Sequence, residues 1–426
     1  MFRWCAPMVL LFAVFIASAA MAGEPSAGGE APALSTKTGG PEANIENPNQ
    51  EKGGEKEAAG SKSDWGEVKR VFKRIFKNFT FHGDFLPYYQ GANSVDIEGR
   101  EIDSQHGLNY FANLWITWKP FRNGAFDAWL VAGQGEGADA KLGDYVLAAL
   151  NQLSSDAPGN DGVDLLTITY TQRFFHDSFF ASLGKTHPEN WMDVNAFAND
   201  QYTQFIGLPF VNDPVLDSED EYTPLLEIGF SPFKELGLLA LASSTTRQLL
   251  DAKHHKDSYR DIFDDMFFGG QVTYSPLFHG LQGHYRLLGW VASYGHPKLD
   301  GSGEEPGWGV TLNVDQMVHK NVGLFSRISV YNQDVYSTSW FWSFGGQVTG
   351  LVPQRQNDNL GLAVAGLKAN EDTGNSDFEY HLEGYYRISF LRHFAVTPDI
   401  QYVINPAGDS GNDNIFVGTL RGEAWF

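Results

Sequence analysis

The chain has 426 residues and carries 52 Asp and Glu against 30 Lys and Arg, a formal net charge of -22 at pH 7. So acidic a balance excludes nucleic-acid binding, which needs a basic footprint. The single cysteine, Cys5, excludes a disulfide framework, whereas 14% aromatic residues and 46 glycines suit a barrel that needs aromatic girdles and tight turns.

Residues 1–22 read as a secretory signal peptide. Met-Phe-Arg-Trp-Cys carries one positive charge, Met8 to Ala20 is almost wholly apolar, and Ala20-Met21-Ala22 supplies an A-x-A cleavage pattern. That apolar run is too short to span a bilayer as a helix, and no later run approaches twenty apolar residues, so helical membrane spanning is excluded. Removing the segment takes away only Arg3 among the charged residues and leaves 29 basic against 52 acidic side chains. Cys5 stands near the start of the apolar run, not directly after it as an acylated cysteine would.

Residues 23–64 are Gly, Pro, Glu, Ser, Ala and Lys with scarcely a large apolar side chain. They cannot bury enough surface to offset ordering entropy, and the expectation is a disordered periplasmic tether. Residues 65–79 change period, with Val68, Val71, Phe72, Ile75, Phe76 and Phe79 on one side and Lys69, Arg70, Lys73, Arg74 and Lys77 on the other. This predicts a short basic amphipathic helix at the periplasmic mouth, as a plug or cap; the alternative is a seat on anionic lipid.

From Thr80 to Phe426 apolar and polar residues alternate in runs of roughly ten, the length of a tilted transmembrane strand. Within this region, residues 138–161 interrupt the dyad with a helix-like pattern at Leu142, Val146, Ala149, Leu150 and Leu153, read as a lid helix. The stretch 193–204 gathers Asp193, Asn195, Asn199, Asp200 and Gln204 with Trp191, Phe197, Tyr202 and Phe205. It reads either as a loop folded into a pore or as an ordinary ordered turn. His254-His255 raises a metal reading, but neighbouring histidines in a charged loop are ordinarily just solvated.

Alternation is clear near the C-terminus. Phe378, Tyr380, Leu382, Tyr386, Ile388 and Phe390 oppose Glu379, His381, Glu383, Tyr385, Arg387 and Ser389; Phe394, Val396, Pro398, Ile400, Tyr402 and Ile404 oppose Thr397, Asp399, Gln401 and Asn405. In the last run Phe416, Leu420, Ala424 and Phe426 lie opposite Thr419, Arg421, Glu423 and Trp425. Alternation alone does not separate a soluble sandwich from a membrane barrel. Aromatic strand ends (Trp340, Trp342 and Phe344; Phe267 and Phe268; Trp115 and Trp118), polar loops of uneven length and a terminal Phe favour the barrel. The fold class is therefore all-β, a closed transmembrane antiparallel β-barrel of about 16 strands (roughly 14 to 18), because an open edge in lipid would leave backbone groups unsatisfied.

Taking the less apolar face as inward gives a lumen set of Glu227, Gln271, Thr273, Gln282, His284, Arg286, Asn313, Asp315, Arg327, Glu379, Glu383, Arg387, Asp399, Gln401, Arg421 and Glu423. Together with Asp193, Asn195, Asp200 and Gln204 and the inward ring of Trp290, these are the candidate pore-lining and solute-contact residues. Arg286, Arg327, Arg387 and Arg421 are expected to face Glu379, Glu383, Asp399 and Glu423 across a transverse field. Trp290, Phe325, Tyr385 and Trp425 are expected to offer flat surfaces for sugar rings. The alternative for each inward charge is lumen scaffolding that keeps the wall paired and wet.

Several blocks in order resemble the carbohydrate-selective outer-membrane porin family, often called OprB-like. They are LGK at Leu183–Lys185 with DVNAFANDQYTQF at Asp193–Phe205, NVDQM at Asn313–Met317, GLFSRIS at Gly323–Ser329, GLVPQRQNDNLGLAV at Gly350–Val364 and TPDIQYVINPAGD at Thr397–Asp409. The family's opening pattern is met only as Asp64-Trp65-Gly66 and a Lys/Arg helix running into Asn78-Phe79, and residues 80–134 match poorly. The resemblance implies a barrel that passes sugars across the Gram-negative outer membrane by passive diffusion. The alternatives are a general or cation-leaning pore and an outer-membrane barrel hydrolase, for which no Ser/His/acid spacing stands out. No catalytic residue, cofactor or metal is assigned. The expected partners are sugars as solutes, outer-membrane lipid and lipopolysaccharide, the barrel assembly machinery reading Phe426, and a second copy of the chain, with no nucleic acid.

Overall fold

A computed structural model describes residues 76–157, 162–218, 222–245, 263 and 265–426. The expected signal peptide at 1–22, the expected tether at 23–64, residues 65–75 of the expected amphipathic helix and His254-His255 lie outside the described residues. Phe76–Asn78 form a single 3-10 turn, and Phe79 already opens the first strand.

Among the described residues, sixteen strands form the wall. In chain order they begin with β1 (Phe79–Ala92), β2 (Gln105–Phe121), β3 (Gly124–Gln134), β4 (Asp164–Phe174), β5 (Phe179–Thr186), β6 (Thr223–Phe233), β7 (Leu236–Ser244) and β8 (Met266–Tyr274). They continue with β9 (Leu281–Pro297), β10 (Glu304–His319), β11 (Val322–Tyr331), β12 (Thr338–Thr349), β13 (Asn359–Ala369), β14 (Phe378–Phe390), β15 (Phe394–Ile404) and β16 (Ile415–Trp425). Each pairs antiparallel with its neighbour in sequence. A small hairpin, Val95–Ile97 with Arg100–Ile102, stands apart between β1 and β2.

The ring closes where β1 pairs with β16, in a register from Asp84 opposite Trp425 to Ala92 opposite Val417. Among the described residues no wall strand keeps an open edge, where an unpaired N–H or C=O facing lipid would be costly. At the seam, the Phe426 N–H donates to the Gly83 carbonyl at 3.0 Å, and His82 Nδ1 lies 2.9 Å from the Phe426 carbonyl oxygen. The Phe426 ring crosses directly over Gly83, where a Cβ would come within 2.6 Å of Cε1, so a side chain there would push the terminal residue off the seam.

Side-chain polarity is inverted relative to a soluble sandwich. On β14, Leu382 is 41% exposed while Glu379, His381, Glu383 and Arg387 are buried; on β15, Ile400 is 57% exposed while Thr397, Asp399 and Gln401 are buried. The exposed apolar face suits lipid, and the polar face turns into the barrel, as in a transmembrane barrel with a wet interior. Phe79, Trp118 and Phe126 stack in sequence on the outside, with ring centroids 5.7 and 5.3 Å apart. Two expected belt residues face the other way: Phe267 is buried in the inner core and Trp115 stacks on the inward Trp129. An aromatic at a strand end marks depth in the membrane, whereas the odd or even position along the strand decides the side.

Short turns join the strands at the end holding Phe79 and Trp425, as between Phe121 and Gly124 or Phe390 and Phe394; the long connections lie at the opposite end. Two of those turn into the barrel over their described residues, 135–157 and 187–218. They contain the helical turns α1 (Asp139–Leu142) and α2 (Leu208–Val211).

Candidate functional site

The second infolded loop is held by an apolar plug and by polar staples. Met192, Phe197, Ala198, Phe205, Phe210 and Leu216 pack against inward wall residues that include Phe267, Trp290, Phe325, Phe341 and Tyr385. Gly323 receives the Phe197 ring so closely that a Cβ would meet Cζ at 2.0 Å. Apolar area removed from water stabilises this docking, at about 25 cal/mol per Å².

The staples come from the wall's charged residues. Arg327 and Asp193 are both 0% exposed, with Nε 3.1 Å from the Asp193 carboxylate, and the same guanidinium donates to the carbonyls of Ala198 at 2.7 Å and Val211 at 3.1 Å. Asn313 donates to the Asp193 carboxylate at 2.5 Å and Gln271 accepts the Asp193 N–H at 3.0 Å. Asn195 donates to Asn313 at 2.8 Å. Arg421 donates to the Gln201 and Gln204 carbonyls at 2.5 and 2.8 Å, while Glu383 accepts the N–H groups of Ile206 and Gly207 at 2.6 and 2.9 Å. Gln204 and Asp200 fold the loop on itself: Gln204 accepts from the Asn199 and Asp200 amides, and Asp200 accepts from Thr203 at 2.7 Å. Asp213 accepts from Tyr331 at 2.6 Å, Ser329 at 2.7 Å and Thr311. Burial pushes its carboxyl above the usual value, Asp193 adds to that, and the three hydroxyls oppose it.

The first loop is held in the same way. Glu379 accepts the Leu147 N–H at 2.9 Å and the Ala407 N–H at 2.7 Å, and lies 2.6 Å from His381 Nε2. Gln401 donates to the Leu150 carbonyl at 2.9 Å. The helix expected across Leu142 to Leu153 breaks after a 3-10 turn at Gly143–Tyr145. Asp139 takes the N–H groups of Leu150 and Asn151 at 2.8 and 2.7 Å, and Glu379 takes that of Leu147, so the amides that would continue the helix are engaged elsewhere.

Two expectations are corrected. The charges do not stand as opposed rows, because arginines and carboxylates meet on the same side of the wall: Arg387 on β14 reaches Glu423 on β16, one strand beyond its neighbour, at 2.6 Å, and Arg286 meets Asp315 on the adjacent strand, which also contacts His284, at 2.6 Å each. Asp399 is buried beside Arg421 and Glu383. Stacking platforms are also lost. Phe205 covers Phe325 and Tyr385 with centroids 5.8 and 4.9 Å away, Trp290 is enclosed by Phe267 and Tyr336, and Trp425 lies under the Arg387 guanidinium at 5.1 Å. Glu227 stands apart from the loops' staples; it is 1% exposed, and neither carboxylate oxygen has a hydrogen-bond partner among the described residues. Thr273, Gln282 and His284 are partly buried.

Between the infolded loops a polar cavity of about 130 Å³ remains, lined in part by Asp156, His187, Glu189, Gln201, Asn212 and Tyr222. None of these is among the residues singled out by strand alternation, because they sit on loops that have no dyad. The one usable signal was compositional: 187–212 is dense in Asn, Gln, Asp and His yet carries no Lys or Arg.

Comparison with known proteins agrees on the architecture. A model of the family described as "Carbohydrate-selective porin, OprB family" matches residues 118–426. An uncharacterised protein of Synechocystis sp. is 26% identical over 162 residues, 36% of this chain and 27% of that protein. Porin B of Pseudomonas aeruginosa is 22% identical over 146 residues, 28% of this chain and 32% of that protein. The chain thus spans about a third or less of the curated relatives it matches. The solved high-pH structure of Pseudomonas putida OprB covers 85% of this chain and 97% of its own, at 16% identity and a TM-score of 0.71, which shows the shared fold.

Proposed function

Because the chain belongs to the carbohydrate-selective porin, OprB family, we propose that it is an outer-membrane channel through which monosaccharides or short oligosaccharides diffuse passively. The observation that carries this reading is the inverted wall: apolar side chains outside, charged and carboxamide side chains inside, and two loops folded inward to narrow the lumen. A polyhydroxylated solute exchanges hydrogen bonds with water for hydrogen bonds with such a lining at little net cost, and needs neither a cofactor nor energy input. The fold and the family are those of channels, and no catalytic step is part of the reading. Export by a leader at residues 1–22, assembly through recognition of the terminal Phe426 strand, contact with lipopolysaccharide and self-association complete it.

Within this reading the wall residues named from the sequence act mainly as staples. Arg327, Arg421, Glu379, Glu383 and Gln401 fix the loops that shape the passage. A general, cation-leaning pore is the second reading, favoured by the net charge of -22, since acidic loops concentrate cations near a mouth. Liposome swelling with glucose, maltose, a disaccharide series and charged solutes of matched size separates the two. Sugar influx faster than that of equal-sized non-sugar polyols supports the sugar channel; influx ranked by size and charge alone supports the general pore.

A further inference from the structure

We propose that the cavity between the infolded loops is a contact subsite for neutral and amino-bearing sugar rings, and that it disfavours sugar acids and sugar phosphates. The inference rests on the sugar-channel reading and assigns selectivity to loop side chains instead of the charged wall. Its first support is Asn212, which lines the cavity and is only 6% exposed, yet its Nδ2 has no hydrogen-bond partner among the described residues. A buried amide donor without a partner is unfavourable, and a solute hydroxyl supplies the missing acceptor. Gln201 adds a second carboxamide on the same wall, so acceptor oxygens and paired N–H donors are both on offer to a ring carrying several hydroxyls.

Aromatic packing forms a second, independent support. Tyr222 is half-buried and held edge-on to Trp129 with centroids 5.7 Å apart, while His187 lies against it at 5.5 Å. Its hydroxyl donates to Asp156 at 2.9 Å, which fixes the ring as a flank on which the C–H face of a sugar can pack.

Charge sets the sign of the preference. Asp156 and Glu189 line the cavity, and among the described residues no Lys or Arg does. The wall arginines that would attract an anion are engaged elsewhere: Arg327 and Arg421 hold loop carbonyls, Arg286 holds Asp315 and Arg387 holds Glu423. A carboxylate or phosphate entering this space meets like charge where water screens it poorly. An ammonium group meets the opposite.

The test uses the purified full-length protein in planar bilayers, reading block of ion current by glucose, glucosamine and glucuronate at one ionic strength. Glucose and glucosamine should block, and glucuronate should block about tenfold less well, a difference of one modest like-charge contact. Asn212→Leu, similar in size but without the amide, should weaken glucose block by about tenfold, as expected for one lost hydrogen bond to a solute. Gln201→Leu tests the same point if Asn212→Leu yields no channels. The pair Asp156→Asn with Glu189→Gln should remove most of the gap between glucuronate and glucose. The subsite is overturned, with the sugar channel intact, if glucose blocks the unaltered protein but glucuronate blocks it equally, or if these substitutions change nothing. Ion conduction without block or flux of any sugar would instead bring down the sugar-channel reading itself.

Discussion

Arg327 shows how a residue chosen as pore lining becomes a structural centre. Its guanidinium is fully enclosed, with Asp193 and loop carbonyls at 2.7 to 3.1 Å, so removing it leaves a 0% exposed carboxylate without its cation, held only by the neutral donors Asn313 and the Asp213 N–H. Breaking such a buried pair costs about 3 to 5 kcal/mol. Arg327→Met should therefore lower the temperature at which the folded band disappears on a heat-modifiability gel, and should raise and destabilise single-channel conductance as the loop comes free. An unchanged melting temperature and steady conductance would mean that the loop is held by its apolar plug alone. The inward and outward faces of β14 allow a paired test: Leu382→Arg, on the lipid side, should cost about 2 to 4 kcal/mol near the midplane and impair insertion. Arg387→Leu should still insert but shift ion selectivity toward cations, because Glu423 loses its partner at 2.6 Å. Normal insertion of the first variant together with failure of the second would reverse the register of that strand.

Strands and loops were legible to different degrees. Period-two alternation in β14, β15 and β16 fixed which residues share a face, since successive side chains in a strand point to opposite sides. Periodicity misread residues 142–153, because helix formation depends on where each amide finds its acceptor, and here the Asp139 carboxylate caps Leu150 and Asn151 while Glu379, distant in the chain, takes the Leu147 amide. The infolded loop at 187–218 fills part of the barrel interior, with Phe197, Phe205 and Phe210 packed on the wall. Replacing residues 190–212 by a short Gly/Ser link should leave a barrel that inserts, because wall pairing from β5 to β6 is independent of it. Conductance should rise severalfold and any preference for sugars over matched polyols should vanish in liposome swelling. Retained preference would place the selective contacts outside this loop.

At the scale of the molecule, the decisive event is closure of β1 on β16, with Phe426 laid across Gly83. Deleting Phe426 should reduce the amount of heat-modifiable, folded protein in the outer membrane while export across the inner membrane continues, measured by fractionation and gel mobility. Normal folded levels would show that the seam needs only the ladder from Asp84 to Ala92. The sequence by itself determined the class of the fold, the near-count of strands and the side of each late-strand residue, because these follow from chain length and a side-chain period of two. Only the tertiary structure decided which inward charges were spent on holding loops, which rings were covered by Phe205, and that a cavity between the loops would be lined by Asp156, Glu189, Asn212 and Tyr222. Those outcomes depend on contacts between residues more than a hundred positions apart, such as Arg327 with Asp193 or Glu383 with Ile206, and no local period along the chain encodes them.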